Sequence, residues 1–172
     1  MQNADVSWSI NPFKLAENSA KTQRELKVTQ LARFREYLSD DSGVIHAELS
    51  GYIDEDRRKL MRCCLRGQVY MACQTTFKEV AVEIASEVVF YPVLSEEAMA
   101  SAPEEYEAVL YDSEELDLIS LIEDELILTL PIAVNAPESP EQQSFGPKIV
   151  EQSAAKPNPF AVLAQLKKNT ED

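Results

Sequence analysis

From Val44 onward, apolar residues fall on every second position. Ile45, Ala47, Leu49 and Ile53 alternate with His46, Glu48, Ser50 and Tyr52, the pattern of a strand with one buried face. Asp54-Glu55-Asp56 supplies a turn, and a longer extended run then places Met61, Cys63, Leu65, Val69, Met71 and Cys73 on one parity. Gly67 interrupts that run, where a bulge or bend is expected. Val80, Val82 and Ile84 repeat the alternation, and Val88-Val89-Phe90-Tyr91 carries a third strand to Pro92. Three consecutive strands with short links predict an antiparallel meander or a partly closed barrel.

Elsewhere the period is that of a helix. Over about residues 30–38, Leu31, Phe34, Tyr37 and Leu38 share one side while Arg33, Arg35 and Glu36 face out, and Asp40-Asp41-Ser42-Gly43 ends the segment. Asp117 caps a helix running to about Thr129, with Leu116 and Leu121 as a hydrophobic staple and Pro131 as the stop. Its core stripe is Leu118, Ile119, Ile122 and Leu126. Residues 95–105 read as an acidic surface loop or loose helical turn, and residues 106–111 as a short strand.

Asn11-Pro12-Phe13 opens a short helical turn, because Asn can cap it and Pro needs no amide donor at the first position. The same order returns at Asn158-Pro159-Phe160, where Phe160, Leu163 and Leu166 recur every three residues. That amphipathic stretch follows residues 135–155, which hold four Pro or Gly among Glu, Gln and Ser. The expected organisation is an α+β domain over residues 1–134, a flexible acidic linker over 135–155 and a short terminal helix within 156–172. Asn158, Pro159, Phe160, Leu163 and Leu166 are the candidate docking residues.

Composition narrows the function. With 172 residues, 45% hydrophobic and 27% charged, the chain suits one soluble core, and no apolar run approaches the ~18 residues that cross a bilayer. The first residues carry neither a basic start nor an apolar stretch, so a cytoplasmic protein is expected. Cys63, Cys64 and Cys73 are an odd set in a reducing compartment and read as small buried hydrophobes rather than a disulfide framework. The net charge of −14 is unevenly spread: residues 1–66 hold 11 Lys and Arg against 10 Asp and Glu, whereas residues 67–172 hold 5 against 20, a balance of −15. Such a chain can present a neutral-to-basic face to phosphates or an acidic face to a basic protein.

No residue set announces catalysis. Glu123, Asp124 and Glu125 form the tightest carboxylate cluster, but consecutive helical residues fan out by about 100°, so an acidic surface is expected, with Glu125 alone partly buried. His46 is the sole histidine and has no nucleophile motif beside it. The four glycines are scattered, so there is no phosphate loop, and neither a metal site nor a cofactor is expected. One basic concentration stands out, Arg57, Arg58, Lys59, Arg62 and Arg66. It either tracks RNA phosphates or pairs with neighbouring acids such as Glu83 or Glu87.

Three segments together resemble the YceD-type large ribosomal RNA subunit accumulation protein family. They are the acidic helix from Leu116 that ends in Leu130-Pro131, the terminal Lys156-Pro157-Asn158-Pro159-Phe160-Ala161-Val162-Leu163, and the meander with Gly67 and Cys73-Gln74. That family typically has Cys-x-x-Cys after the long strand. Here Cys73-Gln74-Thr75-Thr76 keeps only the first cysteine, and Thr76 cannot replace a thiolate as a soft metal ligand. The resemblance implies a non-enzymatic bacterial factor in ribosome biogenesis that supports synthesis, processing or stability of large-subunit (23S) rRNA. Its expected partner is large-subunit rRNA or a basic ribosomal protein within a pre-ribosomal particle. The competing readings are an RNA chaperone acting through the basic strand, and a protein adaptor unrelated to the ribosome.

Overall fold

The computed structural model describes residues 7–111 and 115–137. In chain order the elements are β1 (Ser9–Ile10), α1 (Pro12–Glu17), β2 (Lys21–Lys27), two 3-10 turns (Val28–Gln30 and Phe34–Tyr37), and then β3 (Asp40–Ile53), β4 (Lys59–Ala72) and β5 (Glu79–Val93), where apolar alternation buries one face. Then follow α2 (Glu96–Ala100), β6 (Glu107–Leu110), β7 (Leu116–Asp117) and α3 (Leu118–Thr129). Five strands form one open sheet in the order β2-β3-β4-β5-β6, and β1 pairs with β7 in a small separate ribbon. The fold is therefore α+β with an open sheet, not a closed barrel. All pairings in the large sheet are antiparallel except β5 with β6, which runs parallel after the crossover through α2.

One face of this sheet builds the core. Leu26, Ile45, Leu49, Met61, Cys63, Leu65, Val69, Ile84 and Phe90 point inward and are met by Leu118, Ile122 and Leu126 of α3, with Leu31 and Phe34 from the turns filling the side. The stripe expected on the last helix is thus its packing face, and Asp117 caps it by accepting the Ile119 amide at 3.0 Å. At the other end of β3, a Cβ on Gly51 would fall on the Leu15 carbonyl, so only glycine lets α1 lie this close.

Several expectations are corrected. Residues 30–38 do not form a continuous helix. The amides of Arg33 and Phe34 donate to the Glu123 carboxylate at 2.8 and 3.3 Å, and that segment winds as 3-10 turns that leave Tyr37 exposed. Asp40-Asp41-Ser42-Gly43 does not stop a helix but opens β3, with the Asp40 carboxylate accepting the Ser42 amide at 2.7 Å. The register shift lies there, between Asp40 and Val44, and not at Gly67, where β4 pairs continuously on both sides. Gly67 serves close approach instead, since an added Cβ would meet the Val44 carbonyl and lie 2.8 Å from Ile45 Cδ1. Ile53, the last residue of β3, is exposed, whereas Gly51 two residues earlier lies under α1. β1 and β2 were not foreseen: β2 has one buried residue, Leu26, in seven.

Asp124 faces solvent and Glu125 is partly buried, as expected, but Glu123 does not belong to the acidic surface. Glu123 is 5% exposed and holds the Arg33 turn against α3 through two main-chain amides and the Arg33 Nε at 3.1 Å. Arg33 also donates to Asp124 at 2.7 Å and to the Ser120 carbonyl, and these bonds, Asp124 first and Glu123 next, raise its pKa above the ordinary guanidinium value. Glu125 is half-buried and accepts the Ser86 hydroxyl at 2.5 Å. The packed chain also runs past residue 134, since Ala136 is buried.

Because a buried donor left without its acceptor costs about 1–3 kcal/mol, Glu123→Ala should lower the unfolding free energy by about 3 kcal/mol. Asp124→Ala removes an exposed partner and should cost under about 1 kcal/mol. Urea denaturation of the two variants checks this, and equal losses would refute the clamp.

Candidate functional site

The outer face of the sheet carries the basic strand. Alternation along β4 sends Arg62, Cys64, Arg66 and Gln68 outward, opposite Met61, Cys63, Leu65 and Val69. Lys59 instead reaches Glu17 of α1 at 2.6 Å and lies over the Phe13 ring, 5.1 Å from its centroid. Arg58 is half-buried between Asp56 at 2.9 Å and Asp54 at 3.3 Å, with its guanidinium over Tyr106. Arg62 pairs with Glu87 at 3.5 Å and sits over Tyr52. So three of the five cations are held by carboxylates, Arg62 by one of the two acids foreseen for it. Arg57, in a left-handed turn position with φ 63°, and Arg66 have no acidic partner among the described residues.

Register places His46 opposite Arg66 and Glu48 opposite Cys64. With Gln23 and Glu25 they line a shallow groove, in which His46 Nδ1 is 3.3 Å from Glu25. Sequence spacing could not show this juxtaposition, because the contributors lie on three strands.

At the far end of the sheet, the β4–β5 turn shows what surrounds the remaining cysteine of that segment. Cys73 is fully covered, and its sulfur accepts the Thr76 amide at 3.4 Å and the Ala136 amide at 3.3 Å. Gln74 donates to the Val134 carbonyl at 3.3 Å, so residues 134–136 are laced onto the turn. The Ala136 amide, and then Thr76, pull the Cys73 thiol from 9.0 down to about 6. Cys63 is the opposite case: burial chiefly, with Cys64 and Glu125 adding, pushes it up to about 12. Cys73 was read as a core hydrophobe; it is also an acceptor at the turn, and the Cys-Gln-Thr-Thr signal alone did not reveal the amide arriving from residue 136. Among the described residues no three His, Cys, Asp or Glu gather as metal ligands.

The candidate docking residues Asn158, Pro159, Phe160, Leu163 and Leu166 lie outside the described residues. Their counterpart Asn11-Pro12-Phe13 opens α1 as expected, with Asn11 accepting the Lys14 amide at 2.9 Å and Phe13 edge-on to Tyr111.

The profile of the large ribosomal RNA subunit accumulation protein YceD family matches residues 61–167. That span takes in most of β4, all of β5, the Cys73 turn, α3 and the terminal segment. The chain belongs to the YceD family. The large ribosomal RNA subunit accumulation protein YceD of Haemophilus influenzae is 31% identical over 173 residues, covering 97% of this chain and 99% of that protein. No solved structure matches the chain. No helix among the described residues is long and apolar enough to cross a membrane.

A thiol whose pKa is depressed by folding stabilises the folded state fully above its ordinary value and loses that contribution as the pH falls through its folded value. Stability supplied by Cys73 should therefore grow between about pH 6 and pH 9 and be absent below pH 6. Unfolding of the wild type and of Cys73→Ser, compared across that window, should show a gap that widens with pH; a constant gap would rule out the thiolate.

Proposed function

We propose that this chain supports accumulation of large-subunit rRNA in the cytoplasm without catalysis, by binding a basic protein of a pre-ribosomal particle. The observation that carries the reading is the end-to-end likeness to a large ribosomal RNA subunit accumulation protein. The family name speaks of accumulation, an outcome that binding alone can produce by protecting or assembling a precursor.

The charge distribution favours a protein over naked RNA as the component held. Arg58, Lys59 and Arg62 are already engaged by carboxylates, so the basic strand offers few free charges for counterion release. Between residues 67 and 137 the sequence has one cation, Lys78, against 15 carboxylates. The non-catalytic reading is supported by the α3 carboxylates, each of which is already taken by a structural contact: Glu123 and Asp124 share Arg33, and Glu125 accepts from Ser86. A second reading, direct RNA binding, is favoured by Arg66, which lines the groove with Arg24 and His46.

Depletion of the protein followed by quantification of both rRNAs tests the proposal, with large-subunit rRNA expected to fall relative to small-subunit rRNA. Unchanged ratios would remove it. Salt titration of any RNA complex separates the readings, since phosphate contacts give a steep log-log loss of affinity.

A further inference from the structure

Three large apolar side chains that the core does not use lie on the Cys73 turn and on the segment that leads to Val134, which is bonded to it. Phe77 is 81% exposed, Leu128 on the last turn of α3 is 80% exposed, and Ile132 is fully exposed. The backbone explains why they come to one end of the molecule. Phe77 closes the turn by donating its amide to the Cys73 carbonyl at 2.9 Å, and the Cys73 amide donates to the Lys78 carbonyl at 2.8 Å. Ile132 stands two residues before Val134, whose carbonyl takes the Gln74 amide of the same turn. Leu128 lies four residues before Ile132, just ahead of Pro131.

Phe77 is also strained. Its φ of 56° is left-handed, a conformation that suits glycine and disfavours a side chain, and its ring gains no burial in exchange. A costly backbone that holds an aromatic ring in solvent is a mark of a recognition element, since a position chosen for stability alone would take glycine. The surroundings specify the partner's charge. Lys78 is the one cation between residues 67 and 137, and Glu79 and Glu83, on the adjoining part of β5, form no ion pair among the described residues.

Resting on the reading that the component bound is a basic protein, we propose that Phe77, Leu128 and Ile132 form its docking patch, which takes the apolar face of a Lys/Arg-rich amphipathic segment. The apolar side chains supply the anchor and the acidic setting supplies selection and a fast encounter. An acidic amphipathic segment would be repelled.

The test uses the full chain and a fluorescent helical peptide with leucines on one face and lysines elsewhere, beside a control with the leucines replaced by serine. The leucine peptide should bind and the serine peptide should bind at least about tenfold more weakly. Phe77→Gly should weaken leucine-peptide binding about tenfold while leaving the melting temperature unchanged or higher, because glycine relieves the left-handed strain. Leu128→Ser and Ile132→Ser, at exposed positions, should fold normally and show the same loss. Equal affinity for both peptides, or variants that bind like the wild type, would overturn the patch. So would a single-stranded RNA oligonucleotide whose binding these variants abolish, or sedimentation of the wild type as a dimer that they dissolve. In depleted cells the Phe77→Gly/Leu128→Ser protein should fail to restore large-subunit rRNA. Full restoration would overturn the patch and leave the proposed function standing, whereas depletion without any rRNA change would overturn the function and leave the peptide result intact.

Discussion

The Glu123 carboxylate is the constraint on which the arrangement of the other parts depends. A sheet with one apolar face needs a cover, and α3 can serve as that cover only if its angle and depth are set. Apolar contacts between Leu118, Ile122 and Leu126 and the strands supply the driving force but little direction. Direction comes from Glu123, whose oxygens reach the amides of Arg33 and Phe34 and the Arg33 side chain. One carboxylate thereby joins the helix, the turn that precedes β3 and, through Phe34, the core itself. Ser86 on Glu125 adds a second bond from β5 to the same helix.

With α3 so placed, the two ends of the molecule take on different characters. Near α1 the surface is closed by paired charges: Lys59 to Glu17, Arg58 to its two aspartates, Arg62 to Glu87. At the Cys73 turn the chain leaves α3 through Pro131 and is laced down by backbone amides onto a sulfur and a carbonyl. Main-chain bonds of that sort ask little of the side chains, which frees Ile132 and Phe77 to face solvent. Polar contacts therefore hold one end while the other keeps unpartnered apolar surface.

How much of this was legible follows from where the forces act. Period-two alternation reports burial of one sheet face, so β3, β4 and β5 could be read directly, as could the stripe and the Asp117 cap of α3. β2 escaped because an edge strand with a single buried residue, Leu26, leaves no alternation to read. The inward turn of Glu123 was invisible for a different reason: its acceptor role is defined by amides 89 and 90 residues away, and a backbone amide has no residue identity to recognise. The family resemblance drew attention to Thr76 in place of a cysteine, whereas the contacts made to the Cys73 sulfur come from the main-chain N–H groups of Thr76 and Ala136, which carry no residue signature. Pairing of the basic strand was foreseen in kind and partly in detail, since an outward arginine on β4 has few neighbours besides an outward acid on β5.

The distance in sequence between Glu123 and the turn it holds also bears on how the molecule comes into being. Strands β2 to β6 can pair as they leave the ribosome, because each joins its neighbour in the chain, β6 in parallel and the others antiparallel. Their apolar face, however, stays uncovered until residues 118–126 have been made, and the contact that orients the cover spans some of the longest separations in the chain. Non-local closure of this type slows folding and prolongs exposure of a bare sheet face. A nascent chain arrested before α3 would thus be a sticky half-molecule, which makes synthesis of the helix the step that covers the bare sheet face.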